Sequence, residues 1–237
     1  MPDLVNNVQT AVKALIFDVD GTLAETEEAH RAAFNSTFKA WGLDWNWSVD
    51  DYRTLLKTTG GKERMHAHQG TLPTGERRLT DDEIAKLHVE KTAAYGTILA
   101  SGQLVLREGV ADLITAARAR GLKVAVATTT NTPNVEALCQ CCWGKPALEV
   151  FDHVAAGDMV KQKKPAPDVF LLALGQLGLP AENCIAFEDS RNGVLSALGA
   201  DLPVLVTPSA YTDTDDFSDA DWVIPTLEAK NLPSELL

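Results

Sequence analysis

The chain has few of the features that nucleic-acid-binding and membrane proteins share. Lysines and arginines are outnumbered, 21 against 33 aspartates and glutamates, which gives a formal net charge of −12. No apolar run approaches the ~20 residues that cross a bilayer as a helix. The composition therefore argues against nucleic acid or a membrane surface as a partner. It does not exclude an anionic small molecule, because a local basic pocket or a bound metal ion can reverse the field.

Two further absences concern export and cysteine chemistry. Residues 1–11 lack the basic segment followed by an apolar segment that marks a secretory signal peptide, so we expect a cytoplasmic protein. Cysteine is scarce, and Cys139, Cys141 and Cys142 fall together, apart from Cys184. Their spacing fits no common zinc-ligand pattern. We expect reduced thiols in a helix and in the core, not a metal or redox site.

Three short apolar runs indicate the fold class. Residues 14–17, 124–127 and 185–187 each end in polar residues and precede a plausible helix. This alternation predicts an α/β protein with a doubly wound, Rossmann-like parallel sheet. Residues 204–206 and 222–224 can extend the sheet. Because the carboxyl ends of parallel strands lie along one edge, the polar residues after the three runs should meet in one crevice.

The stretch between the first two predicted strands has the pattern of helices. Residues 27–41 carry apolar side chains near helical spacing, and residues 50–57 are also helix-like. A further helix is predicted over residues 80–99, where Thr80 and Glu83 have the spacing of a capping box. These helices interrupt the α/β alternation, which predicts an insertion.

We therefore predict two domains. An α/β core of residues 1–24 and 101–237 would hold the sheet, and a small helical cap of residues 25–100 would cover its edge. The chain would cross between them near residues 23–26 and 101–107. Such a cap expels water and adds contacts to the substrate. The aromatic residues of the insertion are expected to form its core: Trp41, Trp45, Trp47 and Tyr52.

Two carboxylates follow the first strand in the segment Asp18-Val19-Asp20-Gly21-Thr22. Groups this close at a strand end repel each other unless a cation or a catalytic task holds them there. Phosphoryl transfer suits the pair. Asp18 can attack phosphorus as the nucleophile, and Asp20 can protonate the leaving oxygen and later take a proton from water.

This chemistry needs a metal ion, because a phosphate dianion would not approach several carboxylates unaided. Two like charges about 4 Å apart repel by about 4 kcal/mol at an effective dielectric constant near 20. Glu188 and Asp189 follow the third apolar run and supply oxygen ligands suited to Mg²⁺. With Asp18 and Asp20 they form the predicted Mg²⁺ site.

Two more strand-end or loop residues complete the predicted catalytic set. Lys164 lies in a loop with two prolines, directly before a helix predicted over residues 168–177, and can bridge the nucleophile and the phosphate. Thr128 follows the second apolar run and offers a hydroxyl group and backbone N–H groups to a phosphoryl oxygen. Either residue alone would have an ordinary structural explanation, so the prediction depends on their combination and order.

Four segments occur in a fixed order along the chain: Asp18-Val19-Asp20-Gly21-Thr22, Thr128, Lys164-Pro165 and Glu188-Asp189. Together they resemble the four ordered motifs of the haloacid dehalogenase superfamily. The resemblance spans residues 18–189, and the inserted helical cap is typical of the subgroup with phosphoglycolate phosphatases and β-phosphoglucomutase. It implies Mg²⁺ held by Asp18, the backbone carbonyl of Asp20, and Asp189, with Glu188 in or beside the metal shell. It also implies a phosphoenzyme formed on Asp18.

A closer resemblance, to the CbbY group, lies in two short segments, residues 23–30 and 58–64. It implies a sugar-phosphate phosphatase. The substrate that it suggests is xylulose-1,5-bisphosphate, an inhibitor of the carbon-fixing enzyme Rubisco, which would lose its 1-phosphate to give xylulose 5-phosphate.

The residues of these segments also suggest substrate contacts. Gly60 and Gly61 let backbone amides approach an anion closely. Beside them, Lys62 and Arg64, helped by Lys57, can bind a second phosphate of the substrate, away from the phosphate that reacts. Glu25 and His30 could bind sugar hydroxyls or orient Asp20. The predicted substrate-binding residues are Glu25, His30, Lys57, Gly60, Gly61, Lys62, Arg64, Thr129, Thr130 and Asn131.

Several alternatives stay open from the sequence. A phosphomutase similar to β-phosphoglucomutase would share the nucleophile, the metal and the second phosphate site, and would differ in the fate of the phosphoenzyme. A phosphoglycolate-type phosphatase would act on a smaller ester. A non-catalytic phosphosugar-binding module is the alternative outside enzymes, although every chemical position is filled. In each case we expect a monomer that binds a small sugar phosphate.

Overall fold

The apolar runs of the sequence form one parallel sheet. The computed structural model describes residues 12–236, so the expectation about a signal peptide in residues 1–11 lies outside the described residues. The strands are β1 (Ala14–Phe17), β2 (Lys123–Ala127), β3 (His153–Ala155), β4 (Cys184–Glu188), β5 (Val204–Val206) and β6 (Trp222–Val223). Their order in the sheet is β3-β2-β1-β4-β5-β6, and every neighbouring pair is parallel.

The doubly wound α/β sheet predicted from the sequence is confirmed. The helices are α1 (Glu27–Ala40), α2 (Val49–Leu55), α3 (Gly61–Gly70), α4 (Asp81–Ala100), α5 (Val110–Ala119), α6 (Thr132–Trp143), α7 (Ala147–Val150), α8 (Asp168–Leu177) and α9 (Arg191–Leu198). Short 3-10 helices span Ala181–Asn183, Ala229–Asn231 and Ser234–Leu236. None of the helices between residues 12 and 236 has the length and apolar character that a membrane span requires.

Alternating side chains of β1 face opposite layers, as the two-residue period of a strand requires. Leu15 and Phe17 belong to the apolar cluster that includes residues of α5 and α6. Ala14 and Ile16 belong to the cluster that includes residues of α8 and α9. Because helices cover both faces, β1 is buried along its whole length, and the polar residues after it emerge only at the sheet edge.

The inserted helices α1 to α4 have an apolar cluster of their own. It contains Phe34, Phe38, Trp45, Trp47 and Tyr52, with Trp41 packed partly buried against it. The aromatic residues therefore pack in the interior of the insertion, as expected. The capping box at the start of α4 is also present, since Thr80 accepts from the Glu83 N–H group and Glu83 accepts from the Thr80 N–H group.

The insertion leaves and rejoins the sheet side by side. Ala24 and Leu106 form an isolated antiparallel bridge, and the Arg107 N–H group donates to the Leu23 carbonyl at 2.9 Å. These two contacts join the chain before the inserted helices to the chain after them. α4 then packs against α1 within the insertion and against α6 of the core. The four helices thus stand over the carboxyl edge of the sheet.

Candidate active site

A cavity of about 880 Å³ lies between the carboxyl edge of the sheet and the inserted helices. Asp18, Asp20, Lys164 and Asp189 line it from the sheet side. They come from β1, the loop before α8, and the end of β4, which are separated by up to 171 positions in the chain (189 − 18). Parallel topology brings the residues after β1 and β4 together, as the sequence predicted, and the loop before α8 brings Lys164 to them.

The register of β1 and β4 sets Asp18 beside Glu188. Phe17 pairs with Phe187, their rings stack 4.4 Å apart, and the Asp18 N–H group donates to the Phe187 carbonyl at 2.9 Å. The residues that follow this pair therefore leave the sheet at the same level. Lys164 Nζ lies between them, 2.6 Å from Asp18 Oδ1 and 2.6 Å from Glu188 Oε1.

The Lys164 ammonium group also donates to the Ala127 carbonyl at 2.9 Å, at the end of β2. Burial lowers the pKa of Lys164, but Asp18 and Glu188 outweigh that effect and hold it above its ordinary value. Lys164 is therefore a permanent cation at the centre of the site. It contacts the ends of three neighbouring strands at once.

Three buried carboxylates cluster at this site, and two of them contact Lys164. Ligand atoms of Asp18, Glu188 and Asp189 all lie within 4.8 Å of one another. Burial raises the pKa of Asp18, with Asp20 adding to the increase and Lys164 opposing it. Burial also raises the pKa of Glu188 to about 8, against the effect of Lys164, and raises that of Asp189 well above its ordinary value. One ammonium group does not balance three such groups.

Asp189 has two hydroxyl side chains as neighbours. Thr212 Oγ1 donates to the Asp189 carbonyl at 2.6 Å and lies 2.9 Å from Ser209 Oγ, and the Ser209 hydroxyl lowers the pKa of Asp189. Gly21 leaves room for the carboxylate, because a Cβ at that position would collide with it. The φ of Gly21 is 85°, which favours glycine independently of the crowding.

Asp20 has a separate set of partners from the insertion. Thr26 Oγ1 donates to Asp20 Oδ1 at 2.5 Å, and His30 Nε2 lies 3.0 Å from the same oxygen. Burial raises the pKa of Asp20, but His30, Thr26 and Lys91 together lower it to about 2. The sequence left two roles open for His30, and its ring contacts Asp20 while it also lines the cavity. It is stacked on Tyr95, 3.9 Å between ring centroids.

The residues after β2 occupy one wall. Thr128 is buried, accepts from the Thr130 N–H group at 3.2 Å, and lowers the pKa of Asp18 through a hydrogen bond. Thr129, Thr130 and Asn131 line the cavity. Asn131 also caps α6, since its Oδ1 accepts from the Asn134 N–H group at 3.0 Å.

The predicted second-phosphate residues Lys57, Gly60, Gly61, Lys62 and Arg64 all line the same cavity. Gly60 has a φ of 98° and precedes α3, which begins at Gly61. The lysine side chains are exposed and lie on the wall formed by the insertion. The structure thus brings these residues into one space with Asp18.

Arg64 lines the large cavity but also has partners within the insertion, whereas Glu25 lies elsewhere. The Arg64 guanidinium is buried, donates to the Tyr52 hydroxyl at 2.7 Å, and lies 4.9 Å above the Tyr52 ring, so the aromatic core of the insertion holds it. Glu25 does not line the large cavity. Its carboxylate lies 3.3 Å from Arg107 Nε and accepts from the Ala210 N–H group, beside a separate cavity of about 360 Å³.

Sequence reasoning missed Lys91, Lys163 and His88, which also line the cavity. Lys91 had a signal. It lies four residues before Tyr95 and four after Leu87, on the apolar face of α4, where a lysine is unusual. The other two gave no comparable signal, because a half-buried residue in a basic loop or a polar helix has no distinctive pattern.

Comparison with known proteins accounts for this arrangement. Residues 12–201 match the haloacid dehalogenase-like hydrolase family. The chain belongs to this family. Protein CbbY of Rhodobacter capsulatus is 61% identical over 218 residues, which cover 92% of this chain and 95% of that protein. The superfamily and the CbbY group that the sequence indicated are therefore confirmed.

Solved structures of haloacid dehalogenase-like hydrolases agree with the fold. CbbY from Rhodobacter sphaeroides in complex with phosphate has a TM-score of 0.88 and 49% identity, over 92% of this chain and 96% of that chain. A variant of that CbbY in complex with xylulose-1,5-bisphosphate gives the same TM-score of 0.88, identity of 49% and coverage of 92% and 96%. The chain is an enzyme, a phosphatase of this family.

Proposed function

We propose that the protein is a Mg²⁺-dependent phosphatase of sugar bisphosphates, and that its substrate is xylulose-1,5-bisphosphate. The products would be xylulose 5-phosphate and phosphate. The observation that carries the proposal is the position of Lys164 Nζ, 2.6 Å from both Asp18 and Glu188, at one end of a cavity whose other wall carries lysines. The solved CbbY complexes with phosphate and with xylulose-1,5-bisphosphate support the choice of substrate.

The donor set fits a hard divalent cation. Asp18 and Asp189 would hold Mg²⁺ with the backbone carbonyl of Asp20, and Glu188 would lie in or beside the metal shell. The three clustered carboxylates are buried with the Lys164 ammonium group beside them, and their pKa values lie above the ordinary range. When bound, Mg²⁺ would neutralise this charge and that of the phosphoryl oxygens.

Asp18 would act as the nucleophile. Its carboxylate oxygen attacks phosphorus, the bond between phosphorus and the sugar oxygen breaks, and an aspartyl-phosphate forms. Lys164 would hold Asp18 in position and bind a phosphoryl oxygen, while Thr128 and the backbone after it would bind another. Each group acts from a rigid strand end or an anchored loop, so little reorganisation is needed.

Asp20 would handle the protons of both steps. It would donate a proton to the leaving sugar oxygen, and then take one from the water that hydrolyses the aspartyl-phosphate. Its pKa of about 2 describes the substrate-free site, where His30 and Thr26 stabilise the carboxylate. A phosphate dianion placed beside Asp20 favours the protonated form, because like charges repel. His30 and Thr26 keep the carboxyl group oriented through both steps.

The inserted helices would serve as a cap, with residues 25–100 separate from the core of residues 1–24 and 101–237. Lys57 and Lys62 lie on the wall formed by the insertion and would bind the second phosphate of the substrate. Binding energy from that remote group could then be used to position the reacting phosphate. Arg64 would support this wall through Tyr52 rather than bind phosphate directly.

A phosphate-release assay tests the proposal. The purified protein with Mg²⁺ would be given xylulose-1,5-bisphosphate, ribulose-1,5-bisphosphate, fructose-1,6-bisphosphate, phosphoglycolate and glucose phosphates. We expect kcat/KM for xylulose-1,5-bisphosphate to exceed the others by about ten-fold or more. Absence of phosphate release from every compound would overturn the proposal. An isomerised sugar phosphate in place of free phosphate would indicate a phosphomutase.

A further inference from the structure

Two consecutive lysines that line the cavity have different partners. Lys164 points to the reacting end, where it contacts Asp18. Lys163 crosses to the inserted helices, where its Nζ lies 3.6 Å from Glu63 Oε2. The stem of Lys163 packs against Gly60, since a Cβ on that glycine would lie 2.9 Å from Lys163 Cδ. One loop of the core therefore reaches both the nucleophile and the predicted second-phosphate wall.

The surroundings of Lys163 are electropositive. His88 on α4 lines the same part of the cavity, with Nε2 2.7 Å from the position of a Cβ on Gly61. Burial lowers the pKa of His88 to about 3, and Lys91, Lys163 and Lys62 contribute to the decrease. The imidazole is thus neutral at physiological pH, first because it is buried and second because cations lie near it. An anion entering this region would be attracted by several positive charges.

Glu63 is the anion that now faces Lys163. Its carboxylate is folded over Gly60, where a Cβ on the glycine would collide with it, and both Glu63 and Lys163 line the cavity. The Glu63 side chain is 45% exposed and that of Lys163 is 21% exposed. A pair this accessible to water is weak, so a stronger anion can replace the carboxylate.

We propose that Lys163 determines specificity by binding the remote phosphate of a bisphosphate, which displaces Glu63. The inference depends on the proposed function. A phosphate dianion carries more charge than a carboxylate and offers three acceptor oxygens, so it competes well for the ammonium group. Lys163 from the core and Lys62 from the insertion would then bind one phosphate together. A monoester without a remote phosphate leaves the Glu63–Lys163 pair in place.

The test compares two substrates that differ only in the remote group, xylulose-1,5-bisphosphate and xylulose 1-phosphate. For Lys163→Met, we expect the ratio of kcat/KM for the bisphosphate to that for the monophosphate to fall about ten-fold, mainly through KM. Lys163→Arg should keep most of the ratio, since it keeps the charge. Lys86→Met is the matched control, because Lys86 is exposed on α4 and is not among the cavity-lining residues.

Glu63→Gln provides an opposite expectation that does not depend on the folding of the lysine variants. It removes the competing anion, so KM for the bisphosphate should fall about three-fold. Equal losses for both substrates in Lys163→Met, or a higher KM in Glu63→Gln, would overturn the role of Lys163 while leaving the phosphatase proposal standing. If the unmodified protein releases phosphate from neither substrate, the proposed function fails, and this inference with it.

Discussion

Lys91 Nζ lies 2.6 Å from His30 Nδ1, and this buried contact continues to the active site through the other ring nitrogen of His30. An ammonium or amine group that donates to Nδ1 leaves the proton on Nε2, which can then donate to Asp20. Lys91 is 3% exposed and lies over the rings of Phe34 and Tyr95. Lys91 thus reaches Asp20 through the His30 ring, and we expect it to position Asp20.

The first prediction concerns the effect of Lys91 on stability. Burial lowers the pKa of Lys91 from 10.5 to about 7, an effect that Asp20 opposes. Between pH 7 and pH 10.5, the Lys91 amine is protonated in the unfolded chain and neutral in the folded chain. The contribution of Lys91 to the free energy of unfolding therefore rises with pH over this range. Below about pH 7 the destabilisation is complete. The sign is opposite to that of a salt-bridged lysine.

Removing Lys91 should therefore remove this pH dependence. From pH 7.5 to 9.5, we expect the unmodified protein to gain about 2 kcal/mol of unfolding free energy relative to Lys91→Met. Urea unfolding followed by tryptophan fluorescence would measure the difference. Lys86 lies on the exposed face of α4, so the free energy of unfolding of Lys86→Met should change with pH as that of the unmodified protein does. If the free energy of unfolding of Lys91→Met also changes with pH as that of the unmodified protein does, the buried amine does not titrate between pH 7.5 and 9.5.

The second prediction concerns the nucleophile. Asp18→Asn should reduce phosphate release roughly a thousand-fold or more, because an amide cannot form the acyl phosphate. The fold should persist, since Lys164 keeps Glu188 and the Ala127 carbonyl as partners and the side-chain volume barely changes. Thermal unfolding and phosphate release would be measured together. Asp44→Asn, at an exposed position, is the control. Activity within ten-fold of normal would contradict the assignment of Asp18.

The third prediction concerns the divalent cation. The clustered carboxylates of Asp18, Glu188 and Asp189 repel one another, so Mg²⁺ should raise the melting temperature. At a concentration 100 times Kd, the gain in unfolding free energy is about 2.7 kcal/mol. Protons compete for groups with raised pKa values, so the increase should be larger at pH 8 than at pH 5.

Asp189→Asn should lose most of this Mg²⁺-dependent increase. Asp213→Asn should keep it, since Asp213 lies on the surface and pairs with Arg53. Differential scanning fluorimetry with and without Mg²⁺ would make the comparison. Equal responses of the two variants would argue against a cation at the carboxylate cluster.

The fourth prediction separates crowding from backbone strain at two glycines. Gly21 and Gly42 have φ values of 85° and 64°, so alanine is strained at either position. Around Gly42 there is nothing within 4 Å of an added Cβ, whereas at Gly21 that atom would collide with Asp189. Gly42→Ala should cost about 1 kcal/mol of stability and leave catalysis intact.

Gly21→Ala should cost more stability and also weaken Mg²⁺ binding, because the Asp189 carboxylate must move. Chemical unfolding and Mg²⁺ titration calorimetry would measure the two effects. If the two variants lose the same amount of stability and bind Mg²⁺ equally well, then contact between Gly21 and Asp189 does not matter for the site.

Much of the core could be predicted because its signals are local. β1, β2 and β4 are apolar runs that end in charged or hydroxyl residues, and α8 follows a loop whose prolines cannot continue a helix. β3 was missed because His153–Ala155 is only three residues long and two of them are half-buried. A strand of that length is stabilised by its neighbours rather than by its own pattern.

The substrate side of the cavity was less predictable than the catalytic side. Strand order places Asp18 and Asp189 together, and the proline-containing loop before α8 carries Lys164 to them, so motif positions were enough. Glu25 and Arg64 depend on which tertiary partner is in reach, and Arg107 and Tyr52 hold them. Lys163 likewise acquires its place only when the insertion stands over the loop that carries it. The spacing of residues within one segment of the chain does not predict contacts of this kind, because they form between distant segments.

The bridge between Ala24 and Leu106 has a consequence for how such enzymes diversify. The two ends of the insertion are hydrogen-bonded neighbours, so a tight turn could join them if the inserted helices were removed. The insertion can therefore be exchanged as one unit. Recombination can then replace the recognition helices wholesale while the bond-breaking groups stay on the sheet. An ancestral chemistry would thereby acquire new metabolites without being rebuilt.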